Sequence, residues 1–345
     1  MPELMRRVLV SSPDVVGIET VPVPVPGEGE VLVRMSVSGI CGSDVHAAHG
    51  RHPFVPLPYL PGHEVAGVVA AVGDSTTIGI GQRVVAEPIL FCGSCKYCRD
   101  GRYNLCRTME FFGCTAPTGG MAEYFVLPEH RLHAVPASLG DLQAALIEPL
   151  STPVHAVRLA GPDLTGKSVA ILGAGTIGLL TLAAALSRGA ASVAVTDPLA
   201  AKRELALRLG AGSVHDATAP DVVQEVRDVL GESADVVFDC VAVQATVDQA
   251  IAMALKGGTV VIIGVPAAPV TVPLPQIQDL QVRIQGSATY VREDYLEAIR
   301  LLEAGVVRAQ DMITAQYPIG HAAAAFAEAS SGRQVKVVLL PEEPA

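Results

Sequence analysis

The stretch SVAILGAGTIGLLTLAAALSRG, residues 168–189, constrains this chain more than any other. A short buried-type strand runs into Gly173, and the residues from Thr176 have helix length and composition, with Gly189 as the stop. Gly173, Gly175 and Gly178 fall in GxGxxG spacing at the junction. The first glycine permits a tight turn, the second lets a pyrophosphate approach the backbone, and the third lets helix and strand pack closely. A second strand, SVAVTDP, ends in Asp197, nineteen residues after Gly178, the offset of a ribose-binding acid. The unit predicts a dinucleotide site, and a dinucleotide with a nicotinamide end implies hydride transfer. A carboxylate at 197 accepts from both ribose hydroxyls and repels a 2′-phosphate, which favours NAD. Lys202 and Arg203 follow, and either could instead favour the phosphate of NADP.

Alternation continues beyond this unit. Helix-like AAKRELALRLG, a strand in GSVHDA, a helical stretch near 219–230, the strand ADVVFDCV, a helix over 244–256 and the strands GTVVIIGV and LQVRIQGS bring the strand count to six. Such a pattern predicts a doubly wound parallel sheet, the Rossmann arrangement. The first 150 residues read differently. Val-rich runs such as EVLVRMSVSG, EVAGVVAAVG and QRVVAEPI are short and bounded by Gly or Pro, as in a barrel or sandwich. After Ser287, a helix in REDYLEAIRLLEAG, an alanine-rich helix near 321–330 and a strand in QVKVVLLP do not extend the nucleotide-type pattern. The expected α/β chain therefore has a β-rich domain over 1–152, a dinucleotide domain over 153–287 and a return to the first domain over 288–345. A length of 345 residues is enough for two cores.

A net charge of −11 argues against a nucleic-acid partner, which needs clustered Lys and Arg. Two uncharged runs approach the length of a membrane span. Residues 257–278 contain Pro266, Pro269, Pro273 and Pro275, which no single helix accommodates, and residues 168–187 are the strand, turn and helix already described. The start, MPELMRRVLVSSPD, lacks the apolar core of a signal peptide. Seven cysteines, four of them crowded in one loop, do not look like a secreted disulfide framework, so a cytoplasmic protein without a membrane partner is expected.

The crowded loop reads FCGSCKYCRDGRYNLC, with Cys92, Cys95, Cys98 and Cys106 in C-x2-C-x2-C-x7-C spacing. Four thiolates can wrap one tetrahedral Zn²⁺. An iron–sulfur cluster is the competing reading of the first three, but a hydride enzyme needs no single-electron relay. A zinc with four cysteines has no open position, so this lobe, residues 91–107, is expected to be structural. Chemistry is expected elsewhere. GICGSDVH carries Cys41, Ser43, Asp44 and His46, LPGHEVAG carries His63 and Glu64, and LIEPLSTPVHA carries Glu148. One thiolate, one imidazole and carboxylates form a mixed donor set that can leave a zinc position open for substrate.

With these motifs on the page, the chain resembles the zinc-dependent medium-chain dehydrogenases essentially from end to end. GHE at 62–64 and EPL at 148–150 resemble the polyol branch, which includes sorbitol, butanediol and threonine dehydrogenases. The resemblance implies a GroES-like catalytic domain beside the Rossmann domain, two zinc ions per chain, NAD, and a homodimer or homotetramer. It implies Cys41 and His63 as fixed ligands, with Glu64 and Glu148 as alternates that trade with water. It further implies Ser43 as first proton acceptor, His46 as outer relay residue, and Asp44 orienting His63. Ile177, Val241, Val265 and Lys202 join the cofactor set on the same ground. The implied reaction oxidises a secondary alcohol, diol or polyol to the ketone. An NADP-preferring carbonyl reductase and a non-catalytic NAD-binding protein are the alternatives.

The sequence departs from the sorbitol type at Thr289, which replaces an Arg before the matching Tyr290, and at Ala47 and Ala48, which replace bulkier groups. Both changes are expected to make the substrate pocket roomier and less polar. Phe111 and Phe112 either line that pocket or pack in the core, and His49 and His52 are expected in a solvated loop.

Overall fold

The computed structural model describes residues 2–342. The chain forms two compact units, one of Met1–Pro149 with Ala298–Ala345 and one of Leu150–Glu297.

In the second unit six parallel strands form one sheet. They are β1 (Ser168–Leu172), β2 (Ser192–Asp197), β3 (Ser213–Asp216), β4 (Ala234–Asp239), β5 (Ala254–Ile262) and β6 (Arg283–Gly286). Their spatial order is β3-β2-β1-β4-β5-β6, so the winding reverses between β1 and β4. Ligands of open α/β sheets bind at the carboxyl ends of the strands flanking that reversal. Val169, Ala170, Ile171 and Leu172 are fully buried, as a strand covered on both faces requires. The helix Thr176–Ser187 buries Leu179, Leu180 and Leu182, each contributing about 2 kcal/mol.

In the first unit, Leu4–Ser12 and Val15–Pro22 make a two-stranded hairpin. The main sheet runs Ile313–Pro318, Lys336–Leu340, Glu30–Ile40, Glu64–Val72, Arg83–Ala86, Leu132–Ala134. Tyr124–Pro128 pairs with residues 30–34 of the long strand, while Lys336–Leu340 pairs antiparallel with residues 38–40. The inward residues Val31, Val33, Met35, Val65, Val69, Phe112 and Phe125 form one core. The sequence reading omits the strand Ile313–Pro318, whose run ITAQYP includes Gln and Pro and does not alternate cleanly. It pairs parallel with Lys336–Leu340, and the helix Ala322–Ser330 connects the two.

The helix Arg292–Glu303 begins within the second unit, so the return expected at 288 comes later. The reason is an ion-pair cluster at its start. Arg158 donates to both oxygens of buried Asp294 at 2.7 and 2.8 Å, His155 Nδ1 lies 2.7 Å from Oδ2, and the Val291 N–H adds a bond of 2.9 Å. Burial works against the charge, but the bonds from His155, Arg158 and Val291 hold the Asp294 carboxyl at about 2. Its folded pKa is depressed, so its contribution is complete above the unfolded value near 4 and is lost as pH falls toward 2. Asp294→Asn is expected to cost about 2 kcal/mol at neutral pH and to flatten stability against pH between roughly 4 and 2. Urea unfolding at a series of pH values checks this; an unchanged acid limb would refute it.

Candidate metal centre and nucleotide site

Cys41 follows the strand Glu30–Ile40 and is the N-cap of the short helix Gly42–Ala48. Asp44, at the third helical position, accepts the Cys41 N–H on Oδ2 at 3.0 Å, which fixes where the thiol starts. His63 and Glu64 open the neighbouring strand, with Glu64 opposite Gly39. The ligand atoms of Cys41, His63 and Glu64 lie within 4.8 Å of one another. A thiolate, an imidazole and a carboxylate at that spacing fit a zinc ion and leave a position open.

His63 is buried, and its Nδ1 lies 3.8 Å from Asp44 Oδ1 and 3.4 Å from Cys114 Sγ. Asp44 is itself held by the Tyr59 hydroxyl at 3.3 Å. Burial disfavours charge on His63, yet Cys114 and Asp44 raise its pKa well above the ordinary value. Surroundings that attract a proton to this ring attract a metal cation for the same reason. The Phe111 ring stands edge-on to His63 at 5.6 Å. Ser43 and His46 are three residues apart on the short helix and share a face, Ser43 half-buried and His46 exposed. Glu148 is buried in the first turn of the helix Ile147–Ala160 and is not in the ligand-spaced group.

Two residues near the centre escape the sequence reading. Cys114 is the nearer neighbour of His63 Nδ1, and a single cysteine in GCTAPTGG carries no signal of it. Lys336 is buried, and its Nζ donates to Glu64 Oε1 and Oε2 at 2.6 and 2.7 Å and to the Ile40 carbonyl at 3.1 Å. The legible clue was a lysine at the head of an apolar strand, because buried lysines are nearly always paired.

Several residues considered for the pocket are packed inside. Phe112 is fully buried and packs at 5.4 Å on Phe125, so it belongs to the core. Ala47 and Ala48 also pack in that core, so their small size serves packing. Tyr290 is buried against Tyr295 at 5.6 Å. Thr289 differs: it is half-buried at φ 49°, rare for a β-branched residue, and its hydroxyl has no partner among the described residues. His49 lies 2.5 Å from Asp14 and 3.1 Å from Ser330, and His52 Nδ1 accepts the Phe54 N–H at 3.2 Å.

The four clustered cysteines also converge. Sγ–Sγ distances are 3.4 Å for Cys95–Cys98, 3.6 Å for Cys92–Cys106 and 3.9 Å for Cys92–Cys98. A tetrahedron with zinc–sulfur bonds of about 2.3 Å has edges of about 3.8 Å, so the set fits a zinc with no vacant position. Backbone bonds from Ser94 and Cys95 lower the Cys92 thiol to about 5, toward the thiolate a metal needs. The lobe is anchored by a buried network. Tyr103 stacks on Phe91 at 4.4 Å and donates to Glu87 at 2.6 Å, and Arg131 binds Glu87 at 2.9 Å while lying over Phe91.

In the second unit, Gly175 is the N-cap of the helix after β1. A Cβ on Gly178 would stand 1.7 Å from the Gly173 carbonyl, so only glycine permits this close turn. Asp197, at the end of β2, is buried and accepts the Ala174 N–H on Oδ2 and the Leu199 N–H on Oδ1, both at 2.8 Å. Arg203 donates to the Asp197 and Pro198 carbonyls at 2.7 and 2.9 Å and lies 3.2 Å from Asp216. Ile177 lies in the first turn of that helix, and Lys202 is half-buried in the helix after β2. Val241 and Val265, beyond the carboxyl ends of β4 and β5, are exposed.

A sheet wound for a dinucleotide, joined in one chain to two zinc-type donor sets, defines the class of zinc-binding, nucleotide-linked dehydrogenases. Comparison with known proteins narrows it. Residues 27–137 match the alcohol dehydrogenase GroES-like domain, and residues 176–304 match the zinc-binding dehydrogenase domain. The chain is 33% identical to sorbitol dehydrogenase of Bacillus subtilis over 325 residues, 92% of each chain. It is 35% identical to sorbitol dehydrogenase of Gallus gallus over 329 residues, 93% of this chain and 92% of that one. A zinc-binding dehydrogenase of Sinorhizobium meliloti, solved with NADP, superposes with a TM-score of 0.92 at 34% identity, covering 99% of this chain and 100% of that chain. The chain belongs to the zinc-dependent medium-chain dehydrogenase/reductase family, in its polyol dehydrogenase branch, and is an oxidoreductase of alcohols or polyols. Among the described residues, no helix is long and apolar enough to cross a membrane.

Proposed function

We propose that this protein oxidises a secondary alcohol, diol or polyol to the ketone, with NAD as acceptor and two zinc ions per chain. The carrying observation is the mixed set of Cys41, His63 and Glu64 within 4.8 Å, in the same chain as a closed four-cysteine set. Cys41 and His63 would hold the catalytic zinc with one of Glu64 and Glu148, and the four lobe cysteines would hold the structural one. A zinc so held supplies Lewis acidity, which makes an alcohol easier to deprotonate. Asp44 and Cys114 keep His63 oriented from its Nδ1 side. Ser43 takes the substrate proton, and exposed His46 hands it to solvent. Thr289 offers an unpaired hydroxyl for orienting a ligand, and Phe111 shields the His63 side from water. Gly173, Gly175 and Gly178 make room for the pyrophosphate, with Ile177, Val241 and Val265 flanking the cofactor.

Asp197 supports NAD. Two backbone bonds hold its carboxylate where a ribose would sit, and a 2′-phosphate there would meet a fixed negative charge. Arg203, the cation that could have offset this, is committed to two carbonyls and Asp216. Lys202 is the remaining cation. The test is a screen of diols, polyols and simple secondary alcohols with NAD and with NADP, following absorbance of the reduced cofactor. NAD is expected to be preferred by about a hundredfold in kcat/KM, and Asp197→Ser to cut that preference by about tenfold or more. A preference for NADP by the parent protein would overturn the cofactor assignment, and no turnover with any alcohol would overturn the activity.

A further inference from the structure

A metal takes one nitrogen of an imidazole, and the other keeps its hydrogen and needs an acceptor, which sets the orientation of the ring. For His63 the sequence offers Asp44, but the distances do not give it that bond. Asp44 Oδ2 accepts the Cys41 N–H at 3.0 Å, and Oδ1 accepts the Tyr59 hydroxyl at 3.3 Å. Tyr59 is buried, and its backbone N–H and carbonyl pair with Val10 at 3.0 and 3.1 Å, which keeps the hydroxyl over the carboxylate. Oδ1 is left 3.8 Å from His63 Nδ1, beyond the reach of a hydrogen bond. Cys114 Sγ stands 3.4 Å from the same nitrogen, a length at which sulfur, the larger atom, accepts an N–H.

A built turn brings the sulfur there. The Phe111 carbonyl accepts the N–H groups of Cys114, Thr115 and Ala116 at 3.0, 2.9 and 3.0 Å, and Thr115 Oγ1 accepts the Phe111 N–H at 2.8 Å. Gly113 has a φ of 76°, and a Cβ on it would stand 2.4 Å from the Gly62 carbonyl carbon and 2.6 Å from His63 N. Only glycine lets this turn lie directly on the Gly62–His63 backbone, and the next residue is then carried beside the His63 ring. The same turn supplies Phe111, edge-on to that ring at 5.6 Å. With Nδ1 facing the sulfur, Nε2 is the nitrogen left for a metal.

We propose that Cys114 is a positioning residue: its sulfur accepts the Nδ1–H of His63 and leaves Nε2 to the metal, while Asp44 caps Cys41 and acts on the ring only as a charge. This rests on the zinc reading above and deepens it. The test follows release of zinc from the holoprotein into a chromogenic chelator, with the phase from the Cys41 site identified by its absence in Cys41→Ser. Cys114→Val removes the acceptor without leaving a hole, and is expected to speed that phase about tenfold, the scale on which outer partners act on metal affinity. Cys114→Ser keeps an acceptor and is expected to stay within about threefold of the parent. Thermal melting checks that each variant is folded, and Cys114→Ala takes the place of Cys114→Val if that variant is not. Release from Cys114→Val at the parent's rate overturns the proposal. So does Cys114→Ser releasing zinc as fast as Cys114→Val, which would make the effect one of packing. The ligand atoms of Asp44, His63 and Cys114 also lie within 4.8 Å of one another, so a third zinc per chain, lost in Cys114→Val, would make the sulfur a ligand and overturn it too. A parent protein holding only one zinc per chain would instead sink the underlying zinc reading, so the two failures are distinguishable.

Discussion

Cys41→Ser is expected to lose one of two zinc equivalents and at least about a thousandfold in kcat/KM, with little change in fold. A serine hydroxyl stays protonated where a thiol becomes a thiolate, so the donor set falls to an imidazole and a carboxylate. The fold is expected to survive because the local structure depends on the backbone. Asp44 accepts the N–H of residue 41, a bond indifferent to the side chain there. Metal analysis, thermal melting and turnover on the best alcohol from the screen check the three parts separately. Ordinary turnover by the variant would sink the assignment of the catalytic centre.

Cys95→Ser is expected to lose the other zinc equivalent and to act on stability before chemistry. The thiol of Cys95 lies 3.4 Å from that of Cys98, and three sulfurs cannot complete a closed tetrahedron. Structural zinc sites contribute folding free energy directly, so a fall in Tm of roughly 10 °C is expected. The rest of the unit should hold, because Tyr103, Glu87, Arg131 and Phe91 tie the base of the lobe to the sheet. Burial opposes ionisation of Glu87, but bonds from His133 and Tyr103 and the charge of Arg131 keep its carboxyl below the ordinary value. Limited proteolysis is expected to cut first within residues 91–107, while kcat of the protein still folded stays within about twofold of the parent. A large drop in kcat at unchanged stability would give this lobe a part in the chemistry instead.

The two variants address two donor sets of different make-up, and that difference is legible in the sequence. Donor number decided it: four thiolates close a zinc, and a mixed set leaves room. The six-stranded sheet was equally legible, because strands buried on both faces must be apolar throughout and must alternate with helices to run parallel. Both depend on residues near one another in sequence. Pocket lining was less legible. Phe111 and Phe112 are adjacent, yet one faces His63 and the other fills the core against Phe125, because the strand Glu110–Phe111 ends between them and Phe112 opens the turn that follows.

Sequence alone determined the donor types, their spacing within each motif, the glycine turn and the acid that ends β2. Tertiary structure decided which groups hold those donors in place. Lys336 reaches Glu64 only because the last described strand returns to pair with Glu30–Ile40, and Cys114 reaches His63 across fifty-one residues of chain. Nothing in the local pattern encodes such meetings, because a sheet joins residues by register and not by their distance along the chain. The motifs declare the donors; the fold sets what each of them pairs with.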